Sequence, residues 1–164
     1  MARLIETDLG NMFTVDMGVG PGRANNRDDV MVVQYLLNLW LQHPESGRVR
    51  ALAGPTRSRR LAVDGIIGPK TKDCIVLFQE AITCLDDAPI ICDGCIDKPR
   101  GDMTVPGLHQ TTYTIFELNN YVCSLYFDHY YISDVYKRTD LPPRLRTIVK
   151  RDAPAWLLWA RGAA

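Results

Sequence analysis

Apolar residues recur at helical spacing in three stretches of the chain. Val30, Val33, Leu37 and Leu41 fall three and four residues apart, which predicts a helix over residues 28–42. Asn26 stands where an N-cap belongs, and Asp28 and Asp29 put negative charge at the positive end of that helix's dipole. A second apolar face, Cys74, Ile75, Phe78, Ala81 and Ile82, predicts a helix over 69–84, with Pro69 pre-set for its first position behind Gly68. Ile115, Leu118, Val122 and Leu125 repeat in the same way and predict a third helix over 112–128.

The segments between are broken by turn-forming residues. Up to Arg27 the chain carries Gly18, Gly20 and Gly22 around Pro21, the pattern of an irregular or short-stranded lead-in. Residues 44–61 are polar and hold Arg48, Arg50, Arg57, Arg59 and Arg60, a basic loop or hairpin. Residues 86–110, interrupted by Pro89, Gly94, Pro99, Gly101, Pro106 and Gly107, form a long loop with room for one short extended pair. Beyond Tyr130, Pro142 and Pro143 precede Leu145, Ile148 and Val149, with basic residues interleaved, and predict one or two short helices. Trp156 and Trp159 close the tail, as core if they fold back and as a partner-contact patch if they stay exposed.

The most informative run is Asp64-Gly65-Ile66-Ile67-Gly68-Pro69-Lys70-Thr71, followed by Phe78-Gln79. Gly65 and Gly68 allow backbone angles that a side chain forbids, Asp64 can accept amide hydrogen bonds across the turn, and Thr71 can return its hydroxyl to it. Upstream, Asp29-Val30 and Val33-Gln34-Tyr35-Leu36-Leu37-Asn38 lie on the first helix. In this order the residues resemble the peptidoglycan-binding-like domain family: V-Q-x-x-L on a helix, a variable loop, D-G-x-x-G-x-x-T, and a helix ending in F-Q. Asp93-Gly94-Cys95-Ile96-Asp97 with Pro99 and Gly101, then Thr114 and Leu118-Asn119, resemble the second turn and closing helix of longer bacterial members.

The resemblance implies a mainly α fold: a three-helix peptidoglycan-binding-like bundle with long loops over 23–128, a lead-in over 1–22 and a C-terminal helical extension over 129–164. It also implies non-catalytic binding of bacterial cell-wall peptidoglycan or its peptide stems. The candidate ligand contacts are Arg57, Arg59, Arg60, Gln34 and Gln79, with Asp64, Gly65, Gly68 and Thr71 as the structural turn. The chain departs from the pattern at Cys74, often alanine in the family, in its long basic loop, and after residue 130, where nothing matches.

Charge and cysteine usage narrow the alternatives. Lysine plus arginine equals aspartate plus glutamate at 19 each, so no overall charge steers the protein to nucleic acid. No apolar run has the length of a membrane span, and residues 1–8 lack a signal-peptide pattern, so the expectation is cytoplasmic synthesis with any export to the periplasm by another route. Cys74, Cys84, Cys92, Cys95 and Cys123 cannot all pair within one chain and are expected to be mostly reduced.

The chemistry of known wall hydrolases is not spelled out. Cys92-x-x-Cys95 has the spacing of half a zinc site, but His109 and His129 are isolated, so neither metal nor cofactor is expected. Cys123 with either histidine would make a nucleophile and base, yet it falls beside Leu118 and Val122 on an apolar helix face. Asp128-His129 among Tyr126, Phe127, Tyr130 and Tyr131 suits sugar stacking or ordinary packing. The expectation is therefore no enzyme, and peptidoglycan or another bacterial protein as partner. The alternative function is a protein–protein interaction module, or an accessory or effector-associated component of a contractile (type VI-like) secretion system.

Overall fold

The computed structural model describes residues 2–7, 10–43, 60–86, 88–100, 111–126 and 137–153. Among these the protein is mainly helical, with four helices and one two-stranded sheet. The lead-in forms an antiparallel pair, β1 (Arg3–Thr7) and β2 (Gly10–Thr14), registered from Arg3 opposite Thr14 to Thr7 opposite Gly10. Then come α1 (Arg27–Gln42), α2 (Pro69–Asp86), α3 (Thr114–Tyr126) and α4 (Pro143–Asp152). The three helices expected from periodicity are present, with ends within about two residues of those expected.

α1 is the axis of the core. Every residue from Asp28 to Leu41 is buried, so the helix is enclosed on all sides rather than along one stripe. Trp40 meets Phe78 of α2 edge-on at a centroid distance of 5.1 Å, and Phe78 meets Tyr121 of α3 at 6.1 Å, which joins the three helices through one aromatic stack. Lead-in and tail enter the same core: Met12, Phe13, Val15 and Val19 from one, Leu141, Leu145, Ile148 and Val149 from the other.

Asn26 occupies the N-cap position of α1 but makes no side-chain cap bond, a departure from expectation. The two acids after it are drawn into tertiary contacts instead. Asp29, fully buried, accepts the backbone N–H groups of Asp16 (3.1 Å) and Met17 (3.0 Å). Burial pushes its carboxyl above the usual range, and those two amides oppose the shift. Asp28 pairs with Arg144 of α4. Asp152, at the far end of α4, accepts the Leu4 N–H at 3.1 Å, and Arg151 donates to the Ala2 carbonyl at 3.0 Å. The first turn of α1 thus anchors the lead-in directly and the tail through α4.

No helix among the described residues is long and apolar enough to cross a membrane.

Candidate functional site

The two Asp-Gly turns turn out to be the same device. Gln34, 2% exposed on α1, accepts the Gly65 N–H at 2.9 Å, and its Nε2 lies 3.0 Å from the Ile66 carbonyl, 3.1 Å from Asp64 Oδ1 and 3.3 Å from Thr71 Oγ1. Asp64 closes the loop by accepting the Ile66 N–H at 2.9 Å. Gln79, 0% exposed on α2, accepts the Gly94 N–H at 2.8 Å and donates to the Cys95 carbonyl at 2.9 Å and to Thr114 Oγ1 at 3.3 Å. Asp93 accepts the Cys95 N–H at 2.9 Å. In each case a glutamine on one helix grips a turn, and a threonine at the start of the next helix completes the grip.

Gly65 and Gly94 have φ of +76° and +73°, the left-handed state the turn requires. At Gly65 a Cβ would also stand 2.7 Å from the Arg27 carbonyl. Gly68, expected to need the same freedom, does not have a positive φ; its carbonyl accepts the Lys72 N–H at 3.1 Å as α2 begins.

Gln34 and Gln79, expected from the sequence as ligand contacts, thus have their amides engaged with the chain's own turns inside the protein. Arg60 is exposed at the edge of the basic loop, next to Leu61, whose backbone is held in both directions by Asn38. Arg57, Arg59, Trp156 and Trp159 lie outside the described residues, as do His109 and His129.

A different set of residues makes a sizeable cleft. It encloses about 460 Å³ between the lead-in loop and the segment after the second turn, and is lined by Met17, Gly18, Arg23, Asp97, Lys98, Arg100 and Tyr113. Val19 and Ile96 exchange both backbone hydrogen bonds (2.9 and 2.8 Å) and fix the two walls together. The lead-in wall is internally braced: Asn25, itself at φ +54°, accepts the Gly20 N–H at 2.8 Å and donates to the carbonyls of Gly20 and Arg23. Gly20 permits the approach, since a Cβ there would sit 2.6 Å from the Gly94 carbonyl oxygen.

The cleft's charges differ in availability. Arg23 is bidentate to Asp97 (2.7 and 3.2 Å), and that hydrogen-bonded pairing raises its already high pKa. Lys98 lies 3.4 Å from Asp16, which Arg3 also contacts at 2.9 Å. Arg100 is exposed and its guanidinium faces no acid among the described residues; its backbone N–H donates to the Tyr113 hydroxyl at 3.2 Å. The hydroxyl of the buried Tyr113 so holds the backbone from which this exposed side chain projects. Met17, 43% exposed, adds an apolar edge.

No described residues group as a metal site. Cys92 is exposed with its sulfur 3.2 Å from Thr83 Oγ1, while Cys95 is buried and donates weakly toward the Pro21 carbonyl at 3.5 Å. Burial, reinforced by Asp93, pushes the Cys95 thiol up, and burial does the same to Cys123, so both favour the unreactive protonated form.

The cleft leaves no periodic trace in the sequence, and its facing walls are far apart along the chain, Arg23 and Asp97 being separated by 74 residues. The signal that points to it is the unusual density of glycine around Pro21 combined with the second Asp-Gly turn. Comparison with family models, with curated proteins and with solved structures gives no match.

Proposed function

We propose that the chain is a non-catalytic binding module for bacterial peptidoglycan, with α1 to α3 as a peptidoglycan-binding-like bundle, α4 as its helical extension, and the cleft as the place where a peptide stem is held. The observation that carries the reading is the exposed side chain of Arg100, which faces no acid among the described residues, lining with Lys98 a cleft of about 460 Å³. Stem peptides present carboxylates, and an arginine fork binds a carboxylate through two parallel hydrogen bonds. Met17, exposed at the cleft's edge, offers apolar surface for the neighbouring side chain or sugar face. The resemblance in sequence supports the choice of ligand, and the two glutamine-gripped turns supply the rigid frame that such a site needs.

Purified protein incubated with insoluble sacculi is expected to sediment with them, and Arg100→Ala with Lys98→Ala to reduce retention about tenfold, the loss of one charge-assisted contact. A variant with Arg57, Arg59 and Arg60 changed to alanine separates the cleft from the basic loop. Equal retention of the cleft variant and the wild type would move the site elsewhere; no retention of wild type would end the peptidoglycan reading.

A further inference from the structure

Cys92 and Cys95 flank the turn that Gln79 grips, and the chain bends between them at Asp93 and Gly94. In a β-turn the first and fourth Cα atoms lie within about 7 Å, and a disulfide spans about 4.4–6.8 Å between Cα atoms, so a disulfide can bridge this spacing. Both are free thiols, in different settings. Cys92 is exposed, with its sulfur 3.2 Å from Thr83 Oγ1 of α2. Cys95 is 7% exposed, and its Sγ donates toward the Pro21 carbonyl of the lead-in at 3.5 Å. The lead-in rests closely on that sulfur, since a Cβ on Gly20 would lie 3.1 Å from it. The next residue, Ile96, carries the two backbone bonds to Val19, and Gly18 and Arg23 on either side of this contact line the cleft.

We infer that Cys92 and Cys95 are a redox pair, whose disulfide releases the Cys95 sulfur from the lead-in and loosens that wall of the cleft. The oxidant is a low-molecular-weight disulfide. The thiolate of the exposed Cys92 attacks it, forms a mixed disulfide and expels one thiolate. Cys95 then gives its proton to water, and its sulfur attacks that of Cys92 and expels the second thiolate. Two cysteine thiols are oxidised, and one external disulfide is reduced to two thiols. Burial, which favours the protonated form of Cys95, makes Cys92 the first to react. Once oxidised, Cys95 has no S–H to donate, so the Pro21 carbonyl loses that contact, and the sulfur must move to within about 2.05 Å of its new partner. Gln79 still holds the turn, because its bonds run to the backbone of Gly94 and Cys95. The inference concerns the wall of the cleft and does not rest on peptidoglycan as its ligand.

The test is incubation of the dilute full-length protein with reduced or oxidised glutathione, followed by mass-spectrometric mapping of disulfides and residue-resolved amide hydrogen exchange. The expected result in the oxidised sample is a Cys92–Cys95 disulfide, with the Val19 and Ile96 amides exchanging about tenfold faster than in the reduced one and Gly94 unchanged. Dithiothreitol is expected to restore the slow rates. Cys92→Ser, which alters only an exposed side chain, is expected to keep them slow in oxidised glutathione. Cys84 is also exposed and follows Thr83, so it is the rival partner for Cys92. A disulfide from Cys92 to Cys84 or to a second copy of the chain, or two thiols still free after oxidation, would overturn the pair. A Cys92–Cys95 disulfide with unchanged exchange at Val19 and Ile96 would overturn its hold on the cleft wall.

Discussion

The first and second Asp-Gly turns present the same backbone to two different fates. Both are gripped from inside by a buried glutamine, both place glycine at positive φ, and both are completed by a threonine on the following helix. The first leads directly into α2, where Thr71 completes it, and among the described residues nothing bonds to the backbone of Ile67 at its outer edge, where Ile66 is exposed. The second is followed by a long excursion before Thr114, and the start of that excursion, with the lead-in, builds the cleft. What differs is therefore not the turn but what the chain lays against it, and function is expected where the covering differs.

The largest losses are expected at the two glutamine grips. Gln79→Ala leaves the Gly94 N–H and Cys95 carbonyl without partners in a site with no solvent exposure, and is expected to cost about 3 kcal/mol. Gln34→Ala is expected to cost somewhat less, because Asp64 and Ile66 lie at the exposed surface where water replaces part of the grip. Urea unfolding of both variants measures the difference; equal and negligible losses would deny the grips their role. Gly65→Ala comes next, at about 2 kcal/mol, from a strained φ and the nearby Arg27 carbonyl.

The clamp that closes the chain on itself should show in acid. The Arg151 side chain, and then the Leu4 amide, hold the Asp152 carboxyl below the usual range; the Ile66 amide does the same for Asp64, and Arg138 for Asp140. Folded values below unfolded ones mean stabilisation that is complete above the ordinary carboxylate range, about 4, and lost as pH falls through the lowered values. Asp29, pushed up by burial, contributes with the opposite sign. Thermal unfolding of Asp152→Asn is expected to match the acid-weakened wild type below pH about 3 and to fall short of it at neutral pH. A constant offset at every pH would mean that the Asp152 charge is not what holds β1 to α4.

The smallest effect sharpens the contrast most. Ile66→Lys is expected to change stability by less than about 0.5 kcal/mol, whereas Cys95→Lys forces a charge beneath the lead-in and is expected to unfold that region. Similar stability losses at both positions would mean that the first turn is covered after all.

Much of this frame is legible in the sequence. Periodicity locates α1, α2 and α3, and the spacing of Gln34, Asp64, Gly65 and Thr71 marks the first turn, because those signals depend on residues close in sequence or on backbone states that few residue types adopt. The role of the glutamines is not legible: a polar side chain in a motif suggests a ligand, and only tertiary burial reveals that its partners are the chain's own amides. The Asp28–Arg144 pair and the Val19–Ile96 bridge join segments 116 and 77 residues apart, with no periodic pattern to announce them. Arg100 is one charge among many along the chain, and it stands out only because its neighbours Arg23 and Lys98 are paired in the fold.

The most direct test of the account is residue-resolved amide hydrogen exchange on the intact protein. Gly65, Gly94 and Ile96 are expected to be strongly protected, the first two by their glutamines and the third by Val19, while the Ile67 amide exchanges at close to the rate of an open loop. Protection of Ile67 equal to that of Ile96 would contradict the difference between the two edges, and fast exchange at both Gly65 and Gly94 would contradict the shared grip on which the comparison stands.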